Sequence, residues 1–407
     1  MRLAFLIRRK NYYRLLGPVV EEALRRGHVA QCWHDWSGPR DGVKEFPDAA
    51  PSFKAGVPDV VGFSGAADLG ERWRVDPPDA VVTIDPPDPE LRATAKTRWV
   101  WLQYGADILF QPTARGVADA DSVALYSDYW RRQVEMRFPE ADLAAGLAAK
   151  AEAVGAPELD ALGAIDRDEA RRRLGLPADR PIVLYLPFPL RSNVSAPWLS
   201  NVHRPSSRFV QGLRTAVGGP RAYWPDVARG RNDRRIVEAM RAFCDASGAR
   251  LVMKTRAKDP LPRYAERLAD RVFYDRSHYP PTILELLSVA ALCVHFYSTA
   301  VFEAAFASVP SLCLAPRAAE LGPASFGFEF IHNGEPGGIY NAPGVAYWRP
   351  LAEAFDGLAG WRLGDFPLDL TACRAYVERF LGWHDGRSSS RLLDLVERGA
   401  ASAGRST

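Results

Sequence analysis

The sequence has little that would build a metal site or a disulfide framework. Its five cysteines (Cys32, Cys244, Cys293, Cys313 and Cys373) are odd in number, widely scattered and without a Cys-x-x-Cys pair, which excludes both constructions. Cys293 and Cys313 lie inside apolar runs and read as small core residues. None of the seven histidines shows ligand spacing, so no metal is expected. The N-terminal apolar run covers only residues 3–7 and meets Arg8, Arg9 and Lys10 at once; it is too short for a secretion signal and its charges lie on the wrong side. No stretch reaches the length of a membrane span. The net charge of +3 is nearly balanced over 407 residues, whereas nucleic-acid binders carry a basic stripe or a far larger excess. These absences point to a reduced cytoplasmic protein with no nucleic-acid partner. Any membrane work would be done peripherally, at the inner face of the cytoplasmic membrane.

With 47% hydrophobic and 25% charged residues, the composition is that of a globular chain, and its length predicts two domains. The opening alternates a strand at 3–7, a helix at 13–26 and a strand from 29 to 33. Further strands are expected at 60–63, 80–84, 99–102 and 122–126. Such alternation predicts a parallel sheet covered by helices. A charged helix at 166–174, stopped by Gly175-Leu176-Pro177, precedes a new buried strand at 182–186. The second half repeats the pattern, with strands at 250–254, 271–274, 292–295 and 311–314. The expected division is therefore 1–165, 166–385 and a C-terminal helix and tail at 386–407. Both domains are Rossmann-like, with ligands at the carboxyl edges of their strands, facing a cleft between the domains.

The stretch from Pro281 to Leu314 holds the most chemistry. A buried strand ends at His295, and Ser298 and Thr299 follow where a helix must start, with Ser298 expected as its N-cap. A helix N-terminus at a sheet edge suits an anion. The hydroxyls of Ser298 and Thr299 add donors for a diphosphate, and Glu303, one turn further in, is placed to accept from ribose hydroxyls. Lys254 and Arg256 lie at the end of one strand and Arg191 beyond another, cations suited to a leaving diphosphate. Asp275 and His278 follow a third strand, where a nucleotide base would lie.

The order of these pieces resembles a family. Val154-Gly155-Ala156-Pro157-Glu158-Leu159-Asp160-Ala161-Leu162 is similar to the Gly-x-Pro-x-x-Asp-x-Leu element of the CDP-glycerol glycerophosphotransferases, the teichoic-acid polymerases and their capsule-synthesis relatives. The segment 182–191, ending in Pro187-Phe188-Pro189-Leu190-Arg191, resembles that family's strand-Ala-Pro-Thr-x-Arg segment. Tyr297-Ser298-Thr299 with Glu303 resembles its Tyr-Ser-Ser block. Asp385-Gly386-Arg387-Ser388-Ser389-Ser390-Arg391 resembles its Asp-Gly-Lys-x-Ser-x-Arg signature. The resemblance covers most of 150–395. It implies a GT-B fold and a polysaccharide-building role at the cell envelope. The CDP- or UDP-activated donor would lie on the C-terminal domain, with Ser298 and Thr299 as its phosphate-binding pair, and the acceptor on the N-terminal side. The donor is the substrate, and no cofactor is expected besides. Two family histidines are missing: Met253-Lys254-Thr255-Arg256 replaces Arg/Lys-x-His-Pro, and Gln103-Tyr104-Gly105 replaces Trp-His-Gly.

A base is still needed for a hydroxyl acceptor. Asp85 after the strand 80–84, and His34 and Asp35 after the strand 29–33, stand at carboxyl edges. Tyr104 replaces the family's base, and tyrosine as a residue type is a poor general base near neutral pH. His28 follows a helix-ending glycine and reads as structural. The Arg-rich stretch 204–235, interleaved with Phe209, Leu213, Tyr223 and Trp224, is a solvated excursion, an acceptor-binding loop or a lipid-headgroup contact. The expected activity is transfer of a sugar or polyol phosphate to a surface-polysaccharide or lipid-linked acceptor. A UDP-sugar 2-epimerase-like enzyme and a catalytically silent nucleotide-binding relative are the alternatives.

Overall fold

Two parallel sheets, one of seven strands and one of six, carry the chain. A computed structural model describes residues 1–37, 51–94, 97–109, 111–137, 141–187, 233–256, 261–275, 279–315 and 336–403. Arg191, Arg276, His278 and the stretch 204–232 lie outside these residues. The backbone of Arg256 and Asp275 is described, but their side chains are not.

The first unit comprises Met1–Ile165 together with Arg276–Glu285 and Arg374–Thr407. Its strands are β1 (Arg2–Ile7), β2 (Val29–Asp35), β3 (Asp59–Phe63), β4 (Ala80–Thr83), β5 (Arg98–Leu102), β6 (Ser122–Leu125) and β7 (Ala151–Ala153). They pair in parallel in the order β3-β2-β1-β4-β5-β6-β7. Leu3, Phe5 and Ile7 of β1 pack on helix α1 (Tyr12–Arg25), through Leu15, Leu16, Val19 and Val20. Ala4 and Leu6 face the opposite layer, where Trp33, Trp73 and Trp99 gather. A strand covered on both faces is an unbroken apolar run rather than an alternating one, which is why residues 3–7 stand out in the sequence.

Two later stretches complete this unit. Tyr279 lies in the α1 core, its ring stacked on Phe53 with centroids 5.1 Å apart. The final helix, Ser388–Ala403, buries Leu392, Leu393, Leu395 and Val396 in the same core. Its start is held by the Asp160 carboxylate, which accepts from the backbone N–H of Ser388 (3.0 Å) and of Ser389 (2.6 Å). Arg26 and His28 fasten the flank: Arg26 donates to Asp394 at 2.7 Å, and His28 Nε2 lies 2.8 Å from Glu397.

The second unit comprises Asp166–Asp275 and Leu286–Cys373. Its strands are β8 (Ile182–Tyr185), β9 (Arg250–Arg256), β10 (Arg271–Asp275), β11 (Leu292–His295), β12 (Ser311–Ala315) and β13 (Ala346–Pro350), parallel in the order β10-β9-β8-β11-β12-β13. The helix Asp233–Ala246 lays Ile236, Val237, Met240 and Phe243 against Val183, Leu251, Met253 and Val294. The helix Arg167–Leu174 starts where the sequence predicts, with Asp166 accepting from the Glu169 N–H at 2.8 Å. All five cysteines are buried free thiols.

Every strand expected from the sequence forms. Two strands had no advance signal. β7 is three residues, Ala-Glu-Ala, with no apolar run, and β13 is an edge strand ending in proline.

Candidate functional site

Side chains of parallel strands become reachable where the strands end, above all where the strand order reverses direction. In the first sheet that reversal lies between β1 and β4, and in the second between β8 and β11.

In the second unit, β11 ends at His295, and Phe296 and Tyr297 lead into the helix Ala300–Phe306. Tyr297 has φ 36°, a left-handed conformation costly for a bulky residue. The helix begins one residue later than the sequence suggests, with Thr299 rather than Ser298 at its flank. Ser298 still caps its first turn, as the sequence suggests: its hydroxyl accepts from the Ala300 N–H at 3.2 Å, while the Ser298 N–H donates to His295 Nδ1 at 3.4 Å. Because Nδ1 accepts, the ring proton is assigned to Nε2, and that atom is buried with no hydrogen-bond partner among the described residues. Burial drives the His295 pKa down to about 3, so its ring is neutral. Its ring centroid lies 5.8 Å from that of Tyr340.

Glu303 is buried, as are all the residues of its helix. The sequence places it where ribose hydroxyls would reach it, one turn into this helix. Lys254 and Thr255, near the end of β9, are also buried. The backbone positions of Arg256 and Asp275 are register partners across β9 and β10, at the same carboxyl edge.

In the first unit, the residues gather from four chain segments. Asp85, just past β4, accepts a hydrogen bond from the Tyr12 hydroxyl at 2.8 Å, and Arg8, just past β1, lies 3.9 Å from its other oxygen. Arg8 also pairs with Asp88 at 3.6 Å. Arg14 donates to the Tyr104 hydroxyl at 3.2 Å. Arg8 Nε, Asn11 Oδ1 and Asp85 Oδ2 here are buried without a hydrogen-bond partner among the described residues, although Arg8 Nε and Asp85 Oδ2 face each other as the ion pair. Asp107 opens the short 3-10 turn Asp107–Leu109 after β5. Burial, and then the nearby charge of Asp85, push its carboxyl up to about 7.

The other two candidates on this edge are tied up locally. His34 has no exposed surface, and its Nδ1 lies 3.4 Å from the Tyr13 hydroxyl. The Asp35 carboxylate accepts from both the N–H (2.8 Å) and the hydroxyl (2.6 Å) of Ser37, a turn interaction.

No protein-family model and no curated protein sequence matches this chain. Solved structures do. A variant of the wall teichoic acid polymerase TagF soaked with CDPG is 14% identical, with a TM-score of 0.54, over 99% of this chain and 89% of that one. The co-structure of MnaA from S. aureus with UDP is 13% identical, with a TM-score of 0.53, over 98% and 97%. A UDP-GlcNAc 2-epimerase from Neisseria meningitidis is 10% identical, with a TM-score of 0.52, over 98% and 100%. The fold is GT-B.

At such identities the likeness extends to the fold alone. Within this GT-B frame, two groups at the sheet edges escaped the sequence reading, Asp107 and His295. Neither sits in a recognisable motif. For Asp107 the one available signal was a carboxylate five residues beyond the apolar strand Trp99-Val100-Trp101-Leu102, in the stretch where Tyr104 drew attention first. For His295 it was a titratable residue closing a buried strand, Leu292-Cys293-Val294. Among the described residues no three His, Cys, Asp or Glu side chains gather as metal ligands, and no helix is long and apolar enough to cross a membrane.

Proposed function

We propose that this chain is a transferase that moves a sugar or polyol phosphate from a CDP- or UDP-activated donor to a polysaccharide or lipid-linked acceptor. The observation that carries this reading is the carboxyl edge of the second sheet at its reversal. There Ser298 and Thr299 follow a strained turn at Tyr297, and Lys254 and Thr255 approach the end of β9. Cations and hydroxyls at such an edge offset the negative charge that grows on a departing phosphate. The ligands named with similar folds, CDPG for the teichoic acid polymerase and UDP for MnaA, are of the class this edge suits. The role of Arg191, Arg256, Asp275 and His278 in the same site remains part of the proposal.

Thermal shift against CDP, UDP, GDP, ADP and their sugar or polyol conjugates tests it. One nucleotide diphosphate or its conjugate should stabilise the protein selectively. Lys254→Ala and Ser298→Ala should each weaken that ligand by about tenfold, or about 1.4 kcal/mol. Absence of any shift across the panel would overturn the donor-site reading.

A second reading, a UDP-sugar 2-epimerase-like enzyme, is favoured by the carboxyl pair Asp85 and Asp107, because epimerisation needs proton transfer and no acceptor. Analysis of a UDP-sugar incubated with the protein alone separates the two: an epimerised sugar supports the second reading, and an unchanged donor that is consumed once an acceptor is added supports the first.

A further inference from the structure

Resting on the transferase reading, we propose that His295 is a positioning residue of the donor site: its ring holds the turn that presents the Ser298 hydroxyl to the donor phosphate. Tyr297, inside that turn, stands at φ 36°, where turns ordinarily carry glycine or asparagine. A bulky aromatic residue does not adopt this geometry by its own preference, and it persists only where the surroundings impose it. Two holds are present. The Ser298 N–H donates to His295 Nδ1 at 3.4 Å, so a ring nitrogen accepts where a backbone carbonyl closes an ordinary turn. The buried Tyr340 ring packs against both residues, its centroid 5.8 Å from that of His295 and 5.3 Å from that of Tyr297. All of these residues belong to the second unit.

The bond to Ser298 fixes more than the backbone. β11 ends at His295, which is buried and in register with Cys313 of β12, so the ring is anchored to the sheet. The Ser298 hydroxyl accepts from the Ala300 N–H at 3.2 Å, which leaves its own O–H to donate. A donor held in direction before the ligand arrives loses less freedom on binding than a mobile one. The other ring nitrogen, Nε2, is buried with no hydrogen-bond partner among the described residues. A leucine would avoid that orphan, so packing alone does not account for an imidazole here; the acceptor at Nδ1 does. Without that acceptor Tyr297 is free to return to negative φ, and the Ser298 hydroxyl leaves its place at the sheet edge.

UDP and CDP affinity, measured by isothermal titration calorimetry for the wild type, His295→Leu, His295→Asn, Ser298→Ala and the double variant His295→Leu/Ser298→Ala, tests this. His295→Leu keeps an apolar side chain but offers no acceptor, and should weaken the better nucleotide by about tenfold, as Ser298→Ala does. In His295→Asn the side-chain oxygen can take the place of Nδ1 and accept from Ser298, so binding should stay within about threefold of wild type. A residue that only fills space would show the reverse, because leucine is the better filler of an apolar core. The double variant should bind no more weakly than either single variant, because both changes act through one hydroxyl. If His295→Leu binds as the wild type does, if His295→Asn loses as much as His295→Leu, or if the two losses multiply to about a hundredfold, the assignment of His295 is overturned and the transferase reading stands. Should His295→Leu fail to fold, nitrogen-15 spectra of the wild type labelled at histidine decide. The His295 signal, identified by its absence from His295→Asn, should show an unprotonated Nδ1 and move when nucleotide is added; a protonated Nδ1, or a signal that nucleotide leaves in place, overturns the assignment. If the wild type binds neither UDP nor CDP, or Ser298→Ala binds as tightly as the wild type, the donor-site reading falls and takes the assignment with it.

Discussion

His295 and Asp107 have ionisations displaced in opposite senses, and their effects on stability oppose each other. The folded His295 resists protonation down to about pH 3, against 6.5 for a free imidazole, so the unfolded chain binds the extra proton as pH falls below 6.5. Its contribution is present above pH 6.5 and lost on acidification. The folded Asp107 holds its proton up to about pH 7, against 3.8 for a free carboxyl. Its contribution is present below pH 3.8 and lost as pH rises through 7. Between pH 4 and 6.5 the two slopes, each at most about 1.4 kcal/mol per pH unit, cancel. Urea denaturation across that window should therefore show Asp107→Asn gaining stability with rising pH relative to wild type, and His295→Asn losing it. Parallel profiles for all three proteins would refute the assignment of both shifts. Gly17 makes a third residue-scale prediction, on packing. A Cβ at this position would overlap the Tyr279 ring, so Gly17→Ala should cost about 1–3 kcal/mol, read as a lowered Tm.

At the scale of elements, the structure gives two of the resemblance motifs a mechanical meaning. Asp160, from the Gly-x-Pro-x-x-Asp-x-Leu segment, caps the helix that opens in the Asp-Gly-x-x-Ser-x-Arg segment, through the N–H groups of Ser388 and Ser389. Gly155 has φ 92° and lies so close to Ser388 that a Cβ would collide with it. The two motifs are 228 residues apart in sequence and in contact in space. They fasten the last helix to the first unit and need no ligand to explain them. Asp160→Ala should remove two capping bonds and cost about 1–2 kcal/mol. Hydrogen exchange should then accelerate selectively in Ser388–Ala403, and unchanged protection there would show that the cap is dispensable.

At the scale of the whole molecule, the first unit is not a continuous piece of chain. Tyr279 and the final helix supply part of the core that covers α1 and β1. Truncation after Cys373 should expose the partners of Leu392, Leu393 and Val396. Such a protein should aggregate or lose its cooperative transition in scanning calorimetry, although every strand of the first sheet is retained. A soluble truncated chain with an unchanged transition would contradict this.

The sequence by itself determined the alternation of strands and helices, because buried parallel strands must be continuous apolar runs and their covering helices must repeat at helical spacing. It also marked the carboxyl ends where Asp85, Lys254, Ser298 and Tyr104 lie, because strand ends can be read from where an apolar run stops. It did not reveal β7 or β13, whose short or proline-ended edges carry no run to detect. The tertiary structure alone decided which of these ends lie at a reversal of strand order, since that depends on pairing between distant segments. It alone buried His34, Asp35 and Glu303 and brought Asp107 within reach of the Asp85 charge. Burial and the nearness of another charge are properties of the folded neighbourhood, and no local pattern of residues encodes them.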